Sequence, residues 1–303
     1  KQNNDGEYRA IFASEMKAIP PHYTDVHQFP PGKYFMSSDN TFETYYDYTY
    51  QYPGIEDMSE DDIIDKIYEL LYNAVKKRLM SDRPVGFIIS GGIDSTAIAA
   101  IARDILGPDV HMNSYTIGME GAVDLYYARM AANHLNTTHH EKVETEEEFL
   151  DGIEETIKQI ESKCTTTVRA SRGNYGVAKH IKATTDDVVI YCGDVADEMF
   201  ASYRGFQNAP NEQEFYDANL HMMKMVHRYD VLRSDKSISG AGLEARVPFA
   251  DLELVNFVMS IPAKFKMFDN VRVEKYLLRK ALERNNLLPS ELLWRRKEAF
   301  SDG

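Results

Sequence analysis

The residues best suited to chemistry in this chain form one short loop, Ser90 to Thr96, with the sequence SGGIDST. The loop follows a continuous apolar run and precedes a small-residue-rich stretch of helical spacing. Adjacent glycines let backbone amides approach an anion, and a helix start offers unpaired N–H groups and a positive dipole end. A bare glycine pair would also suit a tight turn, but the order strand, loop, helix favours a phosphate site. The loop is not a Walker A sequence, because it lacks the Gly-Lys-Ser/Thr ending.

Asp94 is the one residue of this loop that cannot bind phosphate directly, because like charges repel. Its position makes chemical sense if a divalent cation lies between its carboxylate and the phosphates. The loop therefore predicts a site for a nucleotide together with a metal ion.

The loop resembles the pyrophosphate-binding loop of the ATP pyrophosphatases, whose pattern is Ser-Gly-Gly-x-Asp-Ser. Members of that superfamily cut ATP between the α- and β-phosphates and adenylate an oxygen atom of their substrate. Asparagine, GMP and NAD synthetases, argininosuccinate synthetase and tRNA-modifying enzymes all share the loop. The loop by itself therefore does not choose among these activities.

Seven further segments, in order along the chain, resemble the class B (glutamine-dependent) asparagine synthetases. The resemblance is collinear from about residue 7 to the last residue, which makes it very specific. The matching segments are 12–18, 29–34, 114–118, 133–141, 166–171, 242–249 and 296–303.

The resemblance implies roles for particular residues of this chain. Ile88 and Ile117 are expected to flank the adenine and ribose, and Asp94 and Asp197 are the expected Mg²⁺ carboxylates. The residues expected to bind ATP and pyrophosphate are Ile88, Ser90, Gly91, Gly92, Asp94, Ser95, Thr96, Ile117, Cys192 and Gly193. The expected catalytic residues are Asp194, Lys297, which would neutralise the phosphates as charge develops, and Arg169, near the substrate aspartate.

Without the resemblance, several of these residues would have ordinary explanations. A lone Arg169 or Lys297 would be a solvated surface charge. Cys192 ends an apolar run, so we expect a small buried residue there and not a nucleophile.

One motif departs from the pattern of the family. Where the family typically has Gly-Glu-Gly-Ser-Asp-Glu, the segment 193–198 reads Gly-Asp-Val-Ala-Asp-Glu. Asp194 keeps the carboxylate that the family uses for the acyl-adenylate and for the ammonia proton, but its side chain is one methylene shorter. A misplacement of about 1 Å can cost about 100-fold in rate. The departure therefore predicts either weaker activity or a different acceptor, as in related β-lactam-forming enzymes.

Composition sets outer limits on function. The chain has 303 residues, of which 34 are basic and 48 acidic, for a formal net charge of −14. A pI near 5.1 argues against general affinity for nucleic acid or an anionic membrane surface. Two cysteines cannot form a disulfide framework, so we expect a cytoplasmic location, and no apolar run is long enough to span a bilayer.

The elements that must position the loop alternate strand and helix. This order is typical of an α/β fold with a parallel sheet covered by helices on both faces, the adenine nucleotide alpha-hydrolase-like, PP-loop ATP pyrophosphatase type. Beyond Asn211 the chain becomes helical and charged, which indicates a helical C-terminal lobe. Strands or extended segments are predicted at 7–14, 33–36, 42–52, 85–89, 110–117, 139–143 and 187–191. Helices are predicted from an N-cap at Ser59 and over 95–106, 125–135, 149–160 and 177–182.

The resemblance also predicts the domain organisation. Residues 1–53 are expected to be the remnant of an N-terminal glutaminase domain and its connector, and 54–303 a synthetase domain truncated at its C-terminus. The family's glutaminase, a glutamine amidotransferase, attacks glutamine with an amino-terminal cysteine, and no cysteine lies near residue 1. Ammonia would therefore come from solution or from a domain upstream. A homodimer is the family expectation.

The expected function is that of an ATP-dependent carbon–nitrogen ligase of asparagine biosynthesis. Aspartate and ATP would form β-aspartyl-AMP and pyrophosphate, and ammonia would then release asparagine and AMP. Two alternatives stay open: a related amidotransferase or β-lactam-type synthetase acting on another carboxylate, and a degenerate member of the family without catalysis.

Overall fold

The computed structural model describes residues 10–269 and 271–296. The chain divides into two compact units, residues 1–47 and 48–303. The first unit contains an antiparallel hairpin of β1 (Lys33–Met36) and β2 (Thr41–Thr44), in which Lys33 pairs with Thr44. The prediction of β1 is confirmed, and the extended segment predicted at 42–52 is a strand only up to Thr44.

The strand predicted at 7–14 is wrong over 10–14, which form no strand; residues 7–9 lie outside the described residues. Alternating polarity is not sufficient for a strand, because the ladder hydrogen bonds need a neighbour. Both strands described in this unit pair with each other.

The second unit contains one sheet, whose strands are β3 (Val85–Ile88), β4 (Asn113–Met119), β5 (Thr138–Glu144), β6 (Val189–Tyr191) and β7 (Glu244–Arg246). The α-helices described in this unit are α1 (Glu60–Arg78), α2 (Ile93–Leu106), α3 (Val123–His134), α4 (Glu146–Asp151), α5 (Ile153–Ile160), α6 (Thr165–Thr184), α7 (Ala196–Met199), α8 (Glu212–Met225), α9 (Asp230–Gly240), α10 (Leu252–Ser260), α11 (Ala263–Lys266), α12 (Tyr276–Arg284) and α13 (Ser290–Leu293).

The strand order is β5-β4-β3-β6-β7, and each neighbouring pair is parallel. The chain runs outward from β3 through β4 to β5 and then returns to place β6 on the other side of β3. The direction of winding therefore reverses between β3 and β6, and this is the place where open parallel sheets form a ligand crevice. The predicted parallel sheet is confirmed. Strand β7 was not predicted, because its three residues include two charges.

Helices cover both faces of the sheet, as predicted. On one face, Phe87 and Tyr191 stack with ring centroids 5.0 Å apart and join a core with α1, α2, α10 and α12. On the other face, Ile117 and Ile190 pack in a separate cluster with residues of α6 and α9. Strands buried from both sides explain the continuous apolar runs in the sequence. The C-terminal helices α10 and α12 pack against α1.

Helices α1 and α6 differ in how well the sequence pattern predicted them. Helix α1 begins after Ser59, as predicted, and a capping box joins Ser59 and Asp62. Helix α6 is much longer than the predicted 177–182. The prediction was too short because Arg172, in the middle of the helix, is a charged residue that is buried in an ion pair with Glu144. A buried charged residue breaks the apolar periodicity from which a helix is recognised.

No helix in the described part of the chain is both long and apolar enough to cross a membrane.

Candidate active site

A cavity of about 350 Å³ opens at the carboxyl ends of β3, β4 and β6 in the second unit. Residues from the loop after β3 and from the loop after β6 line it, together with residues of α6, α9 and the start of α12. Of the residues singled out from the sequence, those that line the cavity are Ile88, Ser90, Gly92, Asp94, Ser95, Ile117, Cys192, Gly193, Asp194 and Asp197. The fold therefore gathers most of the predicted site into one space.

Three of the predicted residues, Gly91, Thr96 and Arg169, do not line the cavity, and a fourth lies outside the described residues. Gly91 and Thr96 belong to the loop but face its packed side, and Thr96 is buried. Arg169 is exposed on α6, although Thr166 and Ala170 on the same helix do line the cavity. Lys297 lies outside the described residues, as does most of the matching segment 296–303. The roles expected of Arg169 and Lys297 stay predictions.

The loop after β3 is shaped by glycine and by its own hydroxyl groups. Gly91 has φ +71°, and a Cβ there would lie 2.3 Å from Tyr127 Cβ, so no larger residue fits. The backbone N–H of Ser90 donates to Ser95 Oγ over 3.1 Å, which ties the start of the loop to the first turn of α2. Gly92 is the N-cap of α2, so the positive end of that helix faces the cavity.

Gly193 lets the segment after β6 approach this loop closely. A Cβ on Gly193 would lie 2.6 Å from the backbone N of Ser95 and 3.0 Å from Asp94 Cβ. This close contact brings the second carboxylate-bearing segment, with Asp194 and Asp197, beside the first.

Lys275 connects the two segments. Its Nζ lies 2.5 Å from Asp94 Oδ2 and also forms an ion pair with Asp197 Oδ1. Burial by itself would lower the pKa of Lys275, but the two carboxylates outweigh burial, so the pKa is raised and the ammonium is charged. Sequence reasoning missed this residue because it is 181 positions from Asp94, and no local pattern marks it.

The two carboxylates fit a divalent cation. Asp94 and Asp197 converge on one positive charge, and carboxylate oxygens are the donors that Mg²⁺ prefers. Among residues 10–269 and 271–296, no cluster of three or more Asp, Glu, His or Cys side chains is suited to a metal. One or two carboxylates, completed by phosphate oxygens and water, are the usual protein contribution to an Mg²⁺–nucleotide site.

A group of acids lies at the α9 side of the cavity. Ser234 donates a hydrogen bond to Asp194, and burial raises the pKa of the Asp194 carboxyl although this bond opposes it. Burial likewise raises the pKa of Glu198. Tyr203 Oη lies 2.7 Å from Glu198 Oε1 and 2.9 Å from Asp230 Oδ2. Buried acids with raised pKa values are candidates for proton transfer near neutral pH.

The cavity also contains cations that the sequence did not suggest. Arg233 pairs with Asp230. Arg295 pairs with Asp124 and lies over the ring of Tyr127, with Cζ 4.2 Å from the centroid. Glu198 could have been found from its adjacency to Asp197, whereas the arginines come from helices and turns far along the chain.

Two residues next to the acids have unusual surroundings. Burial raises the pKa of the Cys192 thiol well above its ordinary value, so this group is a neutral thiol and not a nucleophile. Val195 is buried at φ +75°, in the left-handed region that a β-branched residue adopts only under strain.

Comparison with known proteins supplies further findings. The family model described as asparagine synthase matches residues 66–221 and 207–303. The asparagine synthetase [glutamine-hydrolyzing] of Gallus gallus is 37% identical over 97% of this chain and 54% of its own length. Asparagine synthetase B [glutamine-hydrolyzing] of Escherichia coli (strain K12) is 37% identical over 96% of this chain and 54% of its own length. The chain therefore spans about half the length of the curated relatives it matches.

A solved structure, the NH3-dependent NAD synthetase from Campylobacter jejuni, covers 69% of this chain and 96% of its own at 17% identity and a TM-score of 0.30. A likeness of that size carries no argument, so the assignment of the fold depends on the strand order given above.

Proposed function

The chain belongs to the asparagine synthase family, and from this premise we propose that its cavity adenylates the side-chain carboxylate of aspartate and then amidates it with ammonia. The products are asparagine, AMP and pyrophosphate. One observation carries the proposal: the loop after β3 and the segment after β6 face each other across one cavity, with Asp94 and Asp197 brought together.

The chain's own residues suit the nucleotide. Ile88, Ile117 and Cys192 offer an apolar wall for the adenine, and all three line the cavity. The amides of the loop 90–96 and the positive end of α2 suit the phosphates. Asp94 and Asp197 would hold Mg²⁺, which supplies neutralisation of phosphate charge when it is bound.

Adenylation overcomes a poor leaving group. An oxygen of the aspartate carboxylate attacks the α-phosphorus of ATP, the bond to the bridging oxygen breaks, and pyrophosphate leaves with its electron pair. Ammonia then attacks the acyl carbon, and AMP leaves. Without adenylation the leaving group would be an oxide ion, which is too poor a leaving group for the reaction. A shielded cavity excludes water, which would otherwise hydrolyse the acyl-adenylate.

Two acids are available for the proton that ammonia must lose. Asp194 lines the cavity, and its raised pKa makes it a better acceptor near neutral pH than an ordinary carboxylate. Glu198 is a second candidate for the same reason. Lys297 is proposed to neutralise the departing pyrophosphate, and Arg169 to contact the substrate.

The relatives' names supply the proposed nitrogen donor. Each is a glutamine-hydrolyzing enzyme that is about twice as long as the matched region. We infer that the whole protein takes ammonia from glutamine, and that the second unit described here is the part that uses it.

Exchange of labelled pyrophosphate into ATP tests the proposal. Exchange should require aspartate and Mg²⁺, and it should be lost in Asp197→Asn, which removes one of the paired carboxylates. Asp217→Asn is the matched control, because Asp217 is an exposed residue of α8 that does not line the cavity. An intact wild-type protein that shows no exchange with aspartate would overturn the proposal.

A second substrate class is favoured by one observation. The shorter Asp194 and the strained Val195 lie where the family typically has glutamate and glycine, so the acceptor end of the cavity is altered. A panel of carboxylates in the same exchange assay distinguishes aspartate from another carboxylate as the substrate. Strict dependence on aspartate excludes another acceptor, whereas ATP binding with no exchange for any carboxylate indicates a non-catalytic member of the family.

A further inference from the structure

The ammonium of Lys275 occupies the place between two carboxylates where a metal ion is expected. Its Nζ lies 2.5 Å from Asp94 Oδ2 and pairs with Asp197 Oδ1. The Lys275 side chain is 2% exposed, whereas those of Asp94 and Asp197 are 21% and 23% exposed. The lysine therefore approaches from the packed side, and the carboxylates keep an open side toward the cavity.

Electrostatics explains why the arrangement is stable in the absence of ligand. Two carboxylates held this close repel each other, and a buried ammonium without partners would be costly. The buried ammonium and the two carboxylates therefore stabilise one another at the wall of a cavity that is suited to a metal and a nucleotide.

Hydrogen bonds hold the backbone around Lys275, so we expect any exchange of partners to come from its side chain. Lys275 has φ +56° and is the N-cap of α12. The preceding Glu274 is held on both its carbonyl and its carboxylate by Arg279, a fully buried side chain. A lysine has a flexible four-carbon stem, which can move its ammonium by several ångströms without moving the helix.

Given the proposed function, on which this inference rests, we propose that Lys275 holds the cation position between Asp94 and Asp197 until a metal–nucleotide complex enters. Its ammonium then leaves the carboxylates to the metal and turns to the phosphates, which replace the charge that it gave up. The metal site is consequently closed to a bare divalent cation and opens only together with the nucleotide.

Substitution of Lys275 should change the affinities for bare metal and for nucleotide in opposite directions. Lys275→Met leaves the two carboxylates without their internal cation, so bare Mn²⁺ should bind more tightly. The same change removes a positive charge from the phosphates, so an α,β-methylene analogue of ATP with Mg²⁺ should bind more weakly. Removal of a lysine that has only a structural role would not raise the affinity for Mn²⁺.

Electron paramagnetic resonance of Mn²⁺ with the nucleotide-free chain measures the first effect. Lys275→Met should bind Mn²⁺ about tenfold more tightly than the wild type or better. Lys280→Met, on the same helix and outside the cavity lining, should match the wild type. Unchanged Mn²⁺ affinity in a folded Lys275→Met or Lys275→Gln protein would overturn the inference.

A measurement on the wild type keeps the test open if the variants fail to fold. Tight binding of Mn²⁺ to the nucleotide-free wild type, abolished by Asp197→Asn, would contradict the inference directly. Mn²⁺ binding needs neither aspartate nor turnover, so its outcome is separate from that of pyrophosphate exchange. If the wild type exchanges pyrophosphate but Lys275→Met does not change Mn²⁺ affinity, only this inference is rejected. If Lys275→Met raises Mn²⁺ affinity but the wild type exchanges no pyrophosphate, only the proposed function is rejected.

Discussion

Ser234 on α9 places its hydroxyl 2.7 Å from Oδ2 of Asp194, so the altered acid at the cavity wall has a hydrogen-bond donor of its own. Asp194 lies three residues after the end of β6, and Ser234 lies 40 positions later. The bond stabilises the ionised carboxylate, but burial has the larger effect and the pKa of Asp194 is raised. One hydrogen bond thus orients the carboxyl group, and burial raises its pKa, which makes it a stronger base than an exposed aspartate.

Asp194→Asn should separate activity from stability. The amide cannot accept the ammonia proton, so amidation should fall by about 100-fold or more. The same change removes a buried carboxylate that is costly when ionised. Amide formation from ATP and ammonia, followed beside thermal unfolding, measures both effects.

The pH dependence of this variant follows from the direction of the pKa shift. The folded state holds the proton of Asp194 to a higher pH than the unfolded chain, whose pKa is near 3.8. The contribution of Asp194 to stability is therefore fully present below that value and is lost as pH rises through the folded pKa. The Tm advantage of Asp194→Asn over the wild type should be smallest near pH 4 and should grow as the pH rises through the folded pKa. A Tm difference that does not change with pH would contradict this account.

Val195 should respond to glycine and alanine in the reverse of the usual order. Its φ of +75° strains any residue with a Cβ, and only glycine relieves that strain. Val195→Gly should therefore be more stable than Val195→Ala by about 0.5 kcal/mol or more. Urea unfolding of both variants gives the difference.

Val258 is the matched control for this comparison, because it is fully buried in α10, an ordinary helix. There the glycine variant should be less stable than the alanine variant by about 1 kcal/mol. The same order at both positions would show that Val195 is not strained.

Gly193→Ala should disturb the nucleotide loop from outside it. The added Cβ would meet the backbone N of Ser95 at 2.6 Å, so one of the two segments must move. We expect weaker ATP binding and a loss of about 1–3 kcal/mol in the free energy of unfolding. Calorimetric titration with a non-hydrolysable ATP analogue measures the affinity.

Gly205→Ala is the control, since a Cβ at Gly205 meets nothing within 4 Å. It should leave both quantities unchanged. Wild-type affinity in the Gly193 variant would mean that the close approach of the two segments is unimportant for binding.

Lys266 should make stability depend on pH in the alkaline range. This buried lysine donates to Asn219 Oδ1, and Asn219 in turn donates to the backbone carbonyl of Glu198. Burial lowers the pKa of Lys266 to about 7, from an ordinary value of 10.5. Between these values the unfolded chain binds more protons, so the contribution of Lys266 to stability rises with pH.

Lys266→Met removes this contribution. The free energy of unfolding of the variant relative to the wild type should fall between pH 7 and pH 10, with a slope of at most about 1.4 kcal/mol per pH unit. Lys264→Met, an exposed position on the same helix, should show no such slope. Parallel profiles for wild type and Lys266→Met would refute the prediction.

The sequence by itself determined the features that depend on neighbouring residues. The predicted strand 85–89 leads directly into the loop 90–96, within which the predicted helix 95–106 begins, so their order indicates a phosphate loop before any fold is known. Ser59 likewise marks the start of α1, because an N-cap acts on the backbone only a few residues away. The family matches added the second segment, with Asp194 and Asp197.

Only the tertiary structure decided which distant charges meet. Asp94 and Asp197 come together because the sheet places β6 beside β3, and Lys275 joins them because α12 packs back against α1. Buried polar residues such as Arg172 hid the extent of α6, and β7 has no apolar run from which to be recognised. Local patterns record the preferences of the backbone and the burial of single elements. The pairing of charges across 181 positions depends on how the elements pack, and no stretch of sequence contains that information.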